Sequence, residues 1–183
     1  MKHVALVIGM AVLIGAAAAR AQSPAPKPGP EQKKLEIWVG DWTYEGESMT
    51  TPLRPASKYT GKASVRPILG GFFVEWHGEE TGPAGTTQWL EIDGYDPLNK
   101  KFMWNNYSDD GSFNTVTYTI EANTVKCSGS SLQGEKQYKF RASVVFAPDL
   151  MSSVEKGEIS VDGKTWMPSY ENRWTKAKSS AKS

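Results

Sequence analysis

Trp38-Val39-Gly40-Asp41-Trp42 marks where this 183-residue chain turns from a short amphipathic run into an almost unbroken series of strand-like segments. Upstream, Leu35, Trp38 and Val39 within Gln32 to Val39 have the spacing of one or two helical turns. A short helix there would plug one end of whatever the strands build. Downstream, the pattern predicts strands over Trp42–Thr50, Tyr59–Leu69, Phe72–Glu80, Thr87–Tyr95 and Lys101–Tyr107. It continues with Phe113–Glu121, Val125–Ser130, Lys136–Phe146, Met151–Val161 and Thr165–Thr175. Gly70-Gly71, Asp96-Pro97-Leu98-Asn99, Asp109-Asp110-Gly111 and Asp162-Gly163 punctuate the series as turns.

About ten strands joined by short turns, with no helical crossover between them, require antiparallel pairing. A meander that closes on itself removes its own edges. The expected fold is therefore all-β, an antiparallel up-and-down barrel of about ten strands with a short N-terminal helix. A two-sheet sandwich is the second choice.

The ends of the chain read differently. Lys2 and His3 precede the uncharged apolar stretch Val4 to Ala19, and Ala19-Arg20-Ala21 has the form of a cleavage site. Residues 1–21 are expected to be a signal peptide, and the protein exported to the periplasm or the cell exterior. Removal leaves 162 residues, the size of one domain. Residues 22–34 begin QSPAPKPGPE and read as a Pro-rich linker. Residues 35–175 form the barrel domain, and residues 176–183 a disordered basic tail. No later segment has the length and apolarity of a membrane span.

Composition narrows the function. Leu35 to Thr175 carries 13 Lys and Arg against 19 Asp and Glu, a net of −6, which argues against a nucleic-acid partner. Cys127 is the single cysteine, so no intrachain disulfide forms and the core must supply stability. Once residues 1–21 are removed His77 is the sole histidine, and with one Cys it cannot build a structural zinc site. His77 also shares a strand face with Glu75 and Glu79, opposite Val74 and Trp76, and reads as a surface residue rather than a ligand. The turn aspartates lack the D-x-D-x-D-G loop of a calcium site. No metal and no cofactor is expected, and no catalytic constellation stands out.

Gly40-Asp41-Trp42 with Arg173 resembles the calycin signature of lipocalins and their relatives. There a Trp at the start of the first strand packs in the barrel floor and an Arg from the last strand lies over its ring. The resemblance implies Trp42 and Arg173 as that structural pair, held by a cation–π contact. Alternation in the last strand pulls the other way. Trp166, Tyr170 and Trp174 share a face, which turns Arg173 outward unless a bulge at Pro168 resets the register.

A closer resemblance covers Leu35 to Lys176. Trp38–Trp42, Leu69-Gly70-Gly71-Phe72-Phe73, Gly94-Tyr95-Asp96-Pro97 with Lys101–Trp104, and Asp162–Trp166 resemble the bacterial "domain of unknown function 1579" proteins, small exported calycin-like domains. That resemblance implies a fold and carries no established activity. The haem-binding nitrobindins share the Gly-x-Trp opening, but the last strands here hold no histidine where their ligand lies.

Alternation assigns the interior. Val74 with Trp76, Leu90 with Ile92, Phe102 with Trp104, and Val116 with Tyr118 and Ile120 each share a face expected to point inward. Ten strands enclose more space than eight. The reading is a lumen that holds a small apolar or aromatic molecule, lined by Trp76, Trp104, Asn106, Tyr118 and Tyr170. Two alternatives use the same barrel. A cyclase or isomerase would need Glu91 or Glu171 turned inward as acid or base. An envelope-associated interaction module would have a filled core and an exposed apolar patch.

Overall fold

The computed structural model describes residues 26–133 and 136–178, so the expected signal peptide and the end of the tail lie outside the described residues. A helical turn, α1 (Pro30–Lys33), runs into a 3-10 turn over Lys34–Ile37. Pro begins α1, where its missing N–H costs nothing. Ten strands follow. They are β1 (Gly40–Ser48), β2 (Ser57–Ile68), β3 (Phe73–Gly82), β4 (Gly85–Asp96) and β5 (Lys101–Ser108). The second half is β6 (Phe113–Glu121), β7 (Thr124–Gln133), β8 (Lys136–Phe146), β9 (Ser152–Ser160) and β10 (Met167–Lys176).

Each strand pairs antiparallel with its neighbours in sequence, and β1 pairs with β10 to close the barrel. The turns behave as their residues dictate. Asp162 Oδ1 accepts the Lys164 and Thr165 amides, each at 2.7 Å, which fixes the β9–β10 turn. Asp96 Oδ1 accepts the Leu98 amide at 2.8 Å in the β4–β5 turn. Among the described residues no helix is long and apolar enough to cross a membrane.

The helical lead-in closes one end. Leu35, Trp38, Trp42, Val65 and Phe146 are buried together there. The Trp42 indole N–H donates to the Trp38 carbonyl at 2.7 Å, so the helix end and the first strand are tied by a buried bond. Phe146 packs 5.1 Å from Trp38 and 6.1 Å from Trp42, centroid to centroid. Gly40 precedes Trp42 with φ +144°, a region unfavourable for other residues, and a Cβ there would press on the Lys176 stem at 3.1 Å.

Lys176, and not Arg173, supplies the cation of the floor. Its Nζ lies 4.7 Å from the Trp42 ring centroid and donates to the Ile37 carbonyl at 3.4 Å. Lys176 is the last residue of β10, directly opposite Trp42 in the ladder, although composition groups it with the basic tail. Arg173 points outward with a side chain 70% exposed and pairs with Glu171. The reason is parity: Asn172 and Trp174 face inward, so Arg173 between them cannot. A bulge does stand at Pro168, a register shift between Pro168 and Tyr170, but it leaves Arg173 outside. It flips the face of everything before it. Trp166 therefore leaves the set it shares by alternation with Tyr170 and Trp174, and lies outside under the Arg141 guanidinium at 4.3 Å.

Replacing Trp42 with Ala should destabilise the fold by about 3–5 kcal/mol, the range for a buried large aromatic. Lys176→Ala should cost about 1 kcal/mol through the lost cation–π contact and stem packing, and Arg173→Ala less than about 0.5 kcal/mol. Urea unfolding of the three variants checks the order. A loss at Arg173 equal to that at Lys176 would contradict the assignment.

Candidate functional site

In an antiparallel ladder directly opposed residues share a face. Trp76, Glu91 and Asn106 form one such row across β3, β4 and β5. Val74, Asp93, Trp104 and Val116 form the next. Because Trp76, Val74 and Val116 are buried in the core, Glu91 and Asp93 point inward with them. Leu90 and Ile92, expected inside, lie on the outer face, where Leu90 is opposite His77 and Tyr107. In the segment Trp89 to Tyr95 the apolar face is Leu90, Ile92 and Gly94, whereas Glu91 and Asp93 share theirs with Trp89 and Tyr95, so its own alternation points the wrong way. The pairing with β3 and β5 decides it.

Of the five residues expected to line a lumen, Trp76, Trp104 and Asn106 border an inner cavity and Tyr170 borders its mouth, whereas Tyr118 is packed behind the wall. Trp76 and Tyr118 are buried, and Trp104 packs 5.3 Å from the Tyr118 ring. Asn106 and Tyr170 are half-buried on the inner wall. Trp38, Trp42, Trp76, Trp89, Trp104 and Trp174 line an inner cavity of about 340 Å³, which leaves Trp166 as the one tryptophan away from it. Beyond them a mouth of about 1110 Å³ shares Glu80, Glu91, Trp104 and Asn106 with the inner space and is bordered by Arg54, Phe113 and Tyr138. The lumen thus opens at the end opposite the helix.

Side chains that alternation did not single out give the lumen its chemistry. Glu155 accepts three bonds, from Tyr170 Oη at 2.7 Å, Asn172 Nδ2 at 3.1 Å and Trp174 Nε1 at 3.1 Å. Glu80 accepts from Tyr44 Oη at 2.8 Å. Glu91 accepts from Asn106 Nδ2 at 3.1 Å, and Asp93 from Tyr118 Oη at 2.9 Å. Polar residues at alternate positions facing aromatic ones (Tyr170, Asn172, Trp174) are the sequence trace of this arrangement. A buried carboxylate is otherwise contrary to every burial rule.

Burial governs the electrostatics. Desolvation raises Glu91 well above the ordinary carboxyl range, and the neighbouring Asp93 adds to the rise. Desolvation likewise pushes Asp93 up to about 7, while the bond from Tyr118 and the nearby Glu91 and Trp76 side chains act to lower it. Glu80 is raised by burial, opposed by the Tyr44 bond. Tyr118 is held well above its normal value, first by burial and then by the charge of Asp93, so its hydroxyl stays a donor. Burial pushes the Cys127 thiol up to about 12, and it behaves as a small packed residue rather than a nucleophile. Glu171 remains outside, paired with Lys156 at 3.2 Å and with Arg173.

Residues 27–167 match the family model described as "Protein of unknown function (DUF1579)", and the chain belongs to that family. No curated protein matches it. Among solved structures it is similar to Rv2717c from M. tuberculosis, with a TM-score of 0.58 at 10% identity, over 82% of this chain and 99% of that one. It is also similar to the S-type phycobiliprotein lyase CPES from Guillardia theta, with a TM-score of 0.52 at 12% identity, over 81% of this chain and 93% of that one. At those identities the likeness is one of fold.

The buried carboxyls set a pH dependence. A group whose folded pKa lies above its unfolded value stabilises the fold fully below the unfolded pKa and loses that contribution as pH rises to the folded one. For Asp93 the window runs from about 4, the unfolded carboxyl value, to about 7. Stability in urea should therefore fall across it, and Asp93→Asn should flatten the fall. An unchanged slope in that variant would mean that Asp93 is ionised throughout.

Proposed function

We propose that this protein is a small-molecule binder that holds an apolar or aromatic compound in the barrel lumen. The observation that carries the reading is the tryptophan-lined inner cavity of about 340 Å³, continuous with an open mouth. That volume falls in the range of about 300–1000 Å³ typical of ligand sites. Area removed from water against Trp76, Trp89 and Trp104 supplies affinity, and the inward polar groups supply orientation. The cavity also speaks against a core filled solid with side chains. With the export signal read in the sequence, we take the binding to occur in the periplasm or outside the cell.

A second reading rests on Glu91, turned inward beside Asp93. Two carboxyls whose surroundings hold a proton near neutral pH are the groups an isomerase or cyclase would use as acid and base. Turnover of the recovered ligand, rather than its unaltered release, separates an enzyme from a binder.

Protein purified from its native host and gently denatured should release an aromatic or apolar small molecule detectable by mass spectrometry. With the emptied protein, naphthylethanol should change the intrinsic fluorescence saturably, since the tryptophans line the cavity. Trp104→Ala should weaken that binding about tenfold, the loss of roughly one aromatic contact. No released compound, together with no fluorescence change across aromatic, lipid and haem probes, would refute lumen binding.

A further inference from the structure

The wall of the inner cavity carries ionisable groups of one kind. Glu80, Glu91, Asp93 and Glu155 line it, and among the described residues no Lys, Arg or His does. The Arg54 guanidinium lies at the mouth, where its charge acts on Glu80, and donates to Ser169, to its carbonyl at 3.4 Å and its hydroxyl at 3.3 Å. Carboxyls in a low-dielectric site normally face a counter-ion. Here they face tryptophans and one another.

Most donors of the wall are already committed, the Trp38 and Trp76 indole N–H groups being buried without partners. Tyr44 is given to Glu80, Asn106 to Glu91, Tyr118 to Asp93, and Tyr170, Asn172 and Trp174 to Glu155. After those bonds, Asp93 Oδ1 is buried without a partner in a residue 1% exposed. The Trp76 indole N–H beside it is also unpartnered, in a residue 6% exposed. Native interiors leave few such groups, and each calls for an explanation. An acceptor is open at the point where the carboxyls of the wall meet the aromatic rings.

We propose that the lumen selects organic cations: an ammonium group seats between Glu91 and Asp93, with its apolar body against Trp76, Trp89 and Trp104. This rests on the lumen-binding reading and adds its chemical class. An ammonium supplies several donors at once and satisfies Asp93 Oδ1 together with Glu91. The tryptophan faces attract the same charge through their quadrupoles. A carboxylate ligand meets four carboxyls and no cation. A neutral ligand without a donor leaves the open acceptor unmet, and one with a hydroxyl meets it without the gain of a charge-assisted bond. A bare metal ion needs converging ligands, and among the described residues no three of His, Cys, Asp or Glu converge on one point.

The seat couples binding to protons. Glu91 and Asp93 share one face of β4; Tyr118 of β6 acts on both, Glu155 of β9 and Cys127 of β7 interact with Glu91, and Glu80 of β3 lines the same cavity. None of these groups is basic. Without a guest the pair retains a proton near neutral pH, and an arriving ammonium displaces it into solvent. Affinity for a cation therefore rises with pH through the titration of the pair, while affinity for a neutral analogue stays level.

Calorimetry with naphthylethylamine, naphthylethanol and naphthylacetate tests the class, since the three share a ring system and differ mainly in charge. The amine should bind at least about tenfold more tightly than the alcohol, a difference of one charge-assisted contact, and the acetate most weakly. Amine binding at neutral pH should release protons, read as a heat that varies with the ionisation enthalpy of the buffer. Glu91→Gln with Asp93→Asn should abolish the amine preference over the alcohol and the proton release. Should the double variant fail to fold, Asp93→Asn alone must lower the preference. Equal binding of amine and alcohol, a preference that survives both substitutions, or displacement of the amine by calcium overturns the cation seat and leaves lumen binding standing. Failure of all three probes to bind overturns lumen binding itself.

Discussion

Pairing of β1 with β10, which sets Trp42 opposite Lys176 and Tyr44 opposite Trp174, closes the sheet and takes from every strand the freedom to choose its buried face. In an open sheet a strand with apolar residues on both sides can slip by one residue and exchange faces. In a closed meander the slip would have to propagate through all ten strands. Register fixed at the floor is therefore register fixed everywhere, and it is the reason that Glu91 and Asp93 are inside. The floor itself rests on few groups: the Trp42 to Trp38 bond, the Phe146 ring and the Lys176 stem.

The wall also has to make room for rings of that size. Gly78 lies opposite Trp89, Gly61 opposite Tyr44, and Gly157 opposite Tyr170. In each case a Cβ on the glycine would overlap the ring. Glycine weakens a strand, yet a ring laid over the bare backbone of its neighbour shields that backbone and restores contact. The arrangement keeps Trp89 and Tyr170 flat against the wall instead of across the lumen. Space at the centre of the barrel is thus a product of glycine placement as much as of strand number.

Legibility in the sequence followed the strength of alternation. The positions of the strands are readable because turn residues punctuate them, and β3 and β6 declare their inner faces because one side of each is the more apolar. The strand β4 does not, since its apolar face, with Leu90 and Ile92, is the outer one and the arbiter is a neighbouring strand. Arg173 failed for a different reason. The signature it resembles names a residue type and a strand, whereas the role belongs to whichever cation stands opposite Trp42, and that is Lys176. Four inward carboxyls were unreadable for a deeper cause, because pattern reasoning sends charge to solvent. Their sites became visible only when pairing put them beside Trp76 and Trp104.

That last failure has physical content. Where a chain departs from the burial rules without a compensating partner, the departure marks a site under functional constraint more often than a flaw of packing. Glu155 is compensated, with three donors around it. Glu91 and Asp93 are not, having one donor each and no cation to offset them. A barrel built for stability alone would place aliphatic residues at both positions, as it does at Val74 and Val116 in the row of Asp93 itself. The fold instead holds a pair of carboxyls at the cost of their desolvation, within a ring of tryptophans already fixed by the floor. On the proposed reading, a cationic guest offsets the desolvation that burial imposes on the empty pair, in a wall whose rings are already in place.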